Sequence, residues 1–174
     1  MKYLVKFFVV TFLLLVSTHT LAEQSIVYLD MKFVLNNSKA GKGAQDFLQK
    51  TFKANQKKFT EQEKNLKKEE RDLLEKKTVL SKEDYQKKTD NLRKKVIDYQ
   101  SQRRASLDKI TVQRAESRQK LLKKINPILN DYIKENNISM VIDKKNVVGA
   151  NIEFDITKII IEKLNKELPS LNLK

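Results

Sequence analysis

Between Gly43 and Pro127 the chain contains neither glycine nor proline. Those are the residues that most readily stop a helix, glycine through backbone entropy and proline through its missing N–H and the clash of its ring with the preceding turn. Lys, Glu, Gln, Leu and Arg dominate the interval, and all are good helix formers. Acids stand four positions ahead of a lysine at Glu63 and Lys67, Asp72 and Lys76, Glu83 and Lys87, Asp84 and Lys88, and Asp90 and Lys94, the orientation that favours an exposed helix. Helix is therefore predicted throughout, and the rest of the fold must accommodate it.

One helix of that length would be a rod, but residues 78–85 read TVLSKEDY. Thr78 and Val79 are β-branched and weaken a helix end. Ser81 is a good N-cap, Asp84 stands at the third helical position, and Leu80 and Tyr85 occupy the two sites of a hydrophobic staple. The pattern predicts a helical hairpin with its tip near Thr78–Ser81, the alternative being an uninterrupted helix. The first arm, Ala44 to Lys77, would be roughly 50 Å long at 1.5 Å per residue. Phe52, Phe59, Leu66, Leu73 and Leu80 recur every seven residues, yet the companion positions Asn55, Gln62 and Glu69 are polar. On the return, Tyr85, Leu92, Val96 and Tyr99 follow a three-four spacing that fades at Arg103 and Ser106. Half a coiled-coil seam cannot hold two long arms rigidly, so the arms are expected to be marginal and anchored by a better packed base.

The base is written at the two ends of the chain. Ile26 to Leu35 has eight large apolar residues in ten and reads as a buried strand followed by a short helical turn. Gly41 and Gly43 flank Lys42, but the other elements of a phosphate loop are missing, so NNSKAGKG reads as a helix-terminating turn. Leu121, Leu122, Ile125, Ile128, Leu129, Tyr132 and Ile133 form a wide apolar helix face. Pro127 within it predicts a kink, or a fresh helix capped by Asn126. Asn136 and Asn137 end the helix, Ile138–Asp143 is a strand, Lys144–Asn146 is a turn, and Asp155 caps a last helix with Ile156, Ile159, Ile160, Ile161 and Leu164 inward.

The fold class is thus α+β: residues 23–43 and 119–174 form a small β body with short helices, and residues 44–118 form a hairpin arm inserted between its strands. Two short strands cannot bury both faces of a sheet. Neighbouring copies are therefore expected to complete the body through Ile26, Val27, Tyr28, Leu29, Ile138, Met140, Val141 and Ile142.

The first 22 residues stand apart. Lys2 and Lys6 precede the apolar run Phe7 to Val16, and Thr20-Leu21-Ala22 offers small residues at a cleavage position. This is the pattern of a secretory signal peptide, with cleavage between Ala22 and Glu23. The apolar run is half of the roughly 20 residues needed to span a bilayer. Without the leader the chain has no histidine, since His19 is the only one, and it has no cysteine at all. The usual general base, thiol nucleophile and zinc ligands are then missing, which weighs against an enzyme; no metal and no cofactor are expected. The basic excess is concentrated: residues 39–124 hold 26 basic and 13 acidic side chains, while the rest of the exported chain holds 8 and 9. Such a field attracts acidic surfaces or polyanions.

With VYLDMKFVLNNSKAGKGAQDF at Val27–Phe47, a Lys/Gln/Glu-rich helical middle, and then ISMVIDKKNVV and DITKIIIEKL, the whole exported chain resembles the Skp (OmpH-like) family of periplasmic chaperones. The resemblance is most specific at Ser38 to Lys42, at the strand ending in Asp143 and at Asp155-Ile156-Thr157. It implies a homotrimer whose strands build a central β body, with three hairpins projecting around a cavity. It also implies a holdase that protects unfolded outer-membrane β-barrel proteins in the periplasm without ATP. No binding residue is carried over from the family. Periodicity nominates Phe52, Phe59, Leu66, Tyr85, Leu92 and Tyr99 as client-facing, the alternative for each being that it pairs one arm with the other. Charge nominates Lys87, Lys88, Arg93, Lys94, Lys95, Arg103 and Arg104 for acidic clients, lipopolysaccharide or anionic lipid, the alternative being a merely solvated face. Two competing functions are a polyanion binder and a structural coiled-coil spacer. Export and the scarcity of aromatics among the basic groups argue against nucleic acid, and the spacer needs a continuous seam that this chain lacks.

Overall fold

A computed structural model describes residues 25–173; the expected signal peptide and its cleavage point at Ala22 and Glu23 lie outside the described residues. Strand β1 (Ser25–Leu29) leads into the short helix α1 (Met31–Asn37). Asp30 caps α1 by accepting from the Phe33 N–H at 2.8 Å. Helix α2 (Lys39–Glu75) goes out, a 3-10 turn (Lys76–Thr78) reverses the chain, and α3 (Lys82–Glu135) returns. The chain closes with β2 (Ile138–Asp143), 3-10 turns at Lys144–Asn146 and Ile152–Phe154, and helix α4 (Thr157–Glu167).

The reversal follows from local chemistry. The Ser81 hydroxyl accepts from the Asp84 N–H at 3.1 Å and donates to the Asp84 carboxylate at 2.7 Å, so Ser81 caps α3 and Asp84 orients the capping hydroxyl. Asn137, at φ 50°, ends α3; asparagine tolerates the left-handed region better than most residues.

Three expectations for the base need correction. Gly41 and Gly43 do not end a helix: the break is at Ser38, and both glycines lie in the first turns of α2. Ser38 is fully buried and accepts from the Gly41 N–H at 3.2 Å, so the serine provides the punctuation credited to the glycines. At Pro127, of the two alternatives, the fresh helix at Asn126 is excluded, because α3 runs through the proline. Ile159 is exposed while Ile156, Ile160 and Leu164 are buried, since α4 turns only a narrow stripe inward. Finally, Asp155 is not itself the cap of α4: the cap position is Ile156, and Asp155, one residue earlier, accepts from the Thr157 N–H at 2.9 Å.

The two strands pair in parallel, with Ile26 opposite Met140, Val27 opposite Val141 and Tyr28 opposite Ile142. A parallel pair needs a long crossover, and here the whole hairpin is that crossover. One sheet face packs on a single-chain core in which Val27 and Leu29 meet Val34, Leu35, Leu121, Ile125, Ile160 and Leu164. Helices α1, α3 and α4 of the same chain cover that face. On the other face Ile26 and Met140 are 46% and 54% exposed.

Candidate functional site

The arms have the features from which a function can be read. They touch through a seam that alternates between packing and gaps. Near its middle Phe59 is buried and meets Tyr99 edge to face, with centroids 6.0 Å apart and planes at 69°. Nearer the base the Asn55 amide donates to Ser106 Oγ across the arms at 2.7 Å. Toward the tip Lys95 bonds Glu69 across the arms. Such a polar seam fixes register without supplying much burial.

Within the arms, Lys67 pairs with Glu63 at 2.8 Å on α2 and Lys87 with Glu83 at 3.0 Å on α3. The hydrogen bond and charge of Lys67 hold the Glu63 carboxyl below its ordinary range, and Glu63 raises Lys67 in return. Both side chains are largely exposed, so the pair orders the surface more than it stabilises the fold. The Tyr99 hydroxyl also reaches Glu63 at 3.4 Å.

The six nominated apolar residues separate into groups. Phe59 is buried, and with Tyr99 it joins one arm to the other. Leu66, Tyr85, Leu92 and Tyr99 are half-buried on the inner sides of the arms, whereas Phe52 is exposed. Between the arms near the tip lies a groove of about 730 Å³ lined by Leu66, Leu73, Tyr85, Leu92 and Val96. A smaller cavity of about 170 Å³ lies below it, against Phe52, Phe59 and Leu107.

Sequence periodicity missed Leu74, Ile97, Leu107 and Val112, which are large, apolar and exposed. Two were visible as doublets, Leu73-Leu74 and Val96-Ile97. The seven-residue repeat takes Leu73 and the three-four spacing takes Val96, and the other member of each doublet lies about 100° around the helix.

All seven nominated basic residues are exposed. Lys87 and Lys95 are paired as described, and Arg93 stands 3.6 Å from Asp90. Among the described residues Lys88, Lys94, Arg103 and Arg104 make no ion pair. The residues nominated for the body divide by face. Val27, Leu29 and Ile138 are buried, and Val141 is packed on the core. Tyr28 is also buried, under the Lys144 ammonium 5.7 Å from its ring, and Ile142 is half-buried. Only Ile26 and Met140 are open.

A two-stranded parallel sheet whose crossover is a long, thinly seamed, basic hairpin defines an α+β protein built to present arms. Residues 25–164 match the family described as outer membrane protein (OmpH-like), and the chain belongs to that family. A Skp-like protein of Pseudomonas aeruginosa PAO1 is 25% identical over 170 residues, covering 95% of this chain and 99% of the relative. The crystal structure of an OmpH-like protein from Caulobacter crescentus CB15 superimposes with a TM-score of 0.80 at 18% identity, over 91% of this chain and 94% of that one. At that identity the likeness is one of fold.

Proposed function

We propose that this protein is an ATP-independent holdase chaperone of the periplasm, which keeps unfolded outer-membrane β-barrel proteins from aggregating. Three copies would join through their β bodies, and the three hairpins would surround a shared cavity. One observation carries the reading: the arms leave Phe52, Leu74, Ile97, Leu107 and Val112 exposed and most of the seam half-buried. Leu74 and Ile97 line one groove and Phe52 and Leu107 another; exposed apolar groups gathered in this way mark an interaction surface, and several small patches suit many weak contacts with an unfolded chain better than one folded partner. The surrounding basic excess would steer acidic segments toward them. The Caulobacter protein is itself a candidate outer membrane chaperone, which supports the same reading.

A second reading, binding of lipopolysaccharide or another anionic surface, is favoured by the unpaired Lys88, Lys94, Arg103 and Arg104. Salt separates the two. In a light-scattering assay with a denatured outer-membrane protein, a holdase that uses apolar contacts suppresses aggregation at low salt and retains most of that activity at high salt. A polyanion binder loses affinity steeply over the same range through counterion release. Replacing Lys87, Lys88, Arg93, Lys94 and Lys95 by Gln should slow capture more than it weakens the complex. Loss of all protection at high salt would reject the holdase reading.

A further inference from the structure

We infer that each hairpin contains its own subsite for client chain, in the groove between its two arms, and that the occupant is an extended polypeptide segment carrying an apolar side chain followed by a carboxylate. This rests on the holdase reading and adds a place and a chemistry to it.

The groove of about 730 Å³ falls in the range of sites that enclose a small ligand or a few side chains, roughly 300 to 1,000 Å³. Its walls are apolar because Leu66, Leu73, Tyr85, Leu92 and Val96 face inward. It stays open because polar Gln62, Glu69 and Thr89 interrupt the seam, and arms with interrupted seams do not close on each other. The Thr89 hydroxyl donates to the Tyr85 carbonyl at 2.8 Å, so it adds little polarity to the wall. Leu74 and Ile97, both exposed, also line the groove.

Charge chooses the occupant. The two acids on the lining, Glu63 and Glu70, both stand in the field of Lys67. Arg93 is matched by Asp90 at 3.6 Å. Arg103 makes no ion pair among the described residues, and it lies beside Tyr99 where this groove meets the smaller cavity. An apolar side chain in the groove therefore places its carboxylate neighbour next to Arg103, which stands in no ion pair and whose charge reaches Glu63, itself already bonded to Lys67, only through space.

The test uses the intact protein and two short, labelled, unstructured peptides that differ only in carrying Phe-Asp or Phe-Lys, with binding read by fluorescence anisotropy. The acidic peptide should bind about two- to fivefold tighter, the range of an exposed ion pair. R103E should abolish that preference, while R104E, an equal charge change on an exposed neighbour, should keep it. A photo-crosslinker at Thr89 should capture the peptide, and one at Lys88 should not. Equal effects of R103E and R104E, or equal capture from both positions, would overturn the inference. Protection of a denatured client without capture at Thr89 would overturn the subsite and leave the holdase reading intact. Capture without protection would do the opposite.

Discussion

The Leu35 carbonyl oxygen crowds Gly41 so closely that a Cβ on Gly41 would lie 1.9 Å from it. This contact is what allows α1 to fold back against the first turn of α2, and it involves backbone, which cannot swing aside. Gly43, two residues on, has nothing within 4 Å of such a Cβ.

The two glycines should therefore respond to alanine with opposite signs. Gly43→Ala should stabilise by about 0.5 to 1 kcal/mol, the ordinary gain from removing glycine inside a helix. Gly41→Ala should destabilise by about 1 to 3 kcal/mol through overpacking. Urea denaturation of both variants decides it, and a stabilised Gly41→Ala would contradict the packing described.

Asp155 should set part of the acid sensitivity of the body. Burial raises its pKa, but hydrogen bonds from the side chain and backbone of Thr157 and the pairing with Lys144 at 3.1 Å outweigh that, leaving the carboxyl below its ordinary range. A depressed folded pKa contributes stability above the unfolded value, about 3.9, and loses it as pH falls through the folded value. Asp155→Asn should thus melt below the parent at pH 7, with the gap narrowing under pH 4. A gap independent of pH would show that the charge is not involved.

Gln62 is a flaw in the seam that can be repaired. Its side-chain carbonyl oxygen is buried and accepts no hydrogen bond among the described residues, a situation that costs about 1 to 3 kcal/mol. Gln62→Leu would join Phe59 to Leu66 in a continuous stripe. It should raise the melting midpoint by about 3 °C or more and, by closing the arms, weaken client protection. An unchanged midpoint would mean that the seam is not limited by this residue.

What was legible in the sequence was whatever depends on neighbours a few positions apart. Ser81 with Asp84, Asn137 at the end of α3, and Asp155 ahead of α4 are all local signals, and the structure shows each acting at the helix end where it stands. The glycines misled because their reason is a contact between two helices, invisible to spacing. Ile159 misled for a similar reason: an isoleucine run gives no hint of which member turns away. In the arms, a seven-residue repeat led to Phe59 and Leu66 but not to Leu74 or Ile97, because exposure depends on where the second arm lies.

Assembly can be tested on the open sheet face. Ile26 and Met140 lie opposite each other in the register and are both exposed, and neither contributes to the single-chain core. With the parent at the proposed mass of three chains, Met140→Asp should reduce the solution mass to one chain while preserving the helical circular dichroism. Val141→Asp, which strikes the core side, should unfold the body as well. Unchanged mass in Met140→Asp would place the contact between copies elsewhere.

The central claim is that the arms hold the client and the body does not. Because Asn55 and Ser106 meet across the hairpin at 2.7 Å, residues 57–104 can be replaced by a short Gly-Asn turn between positions already side by side. The measurement is light scattering of a denatured outer-membrane β-barrel protein diluted into buffer with either the intact or the trimmed chain at equal concentration. Clear solutions are expected with the intact protein and full aggregation with the trimmed one, which should still fold and keep the parent's number of chains. Equal protection by the trimmed body would contradict the claim.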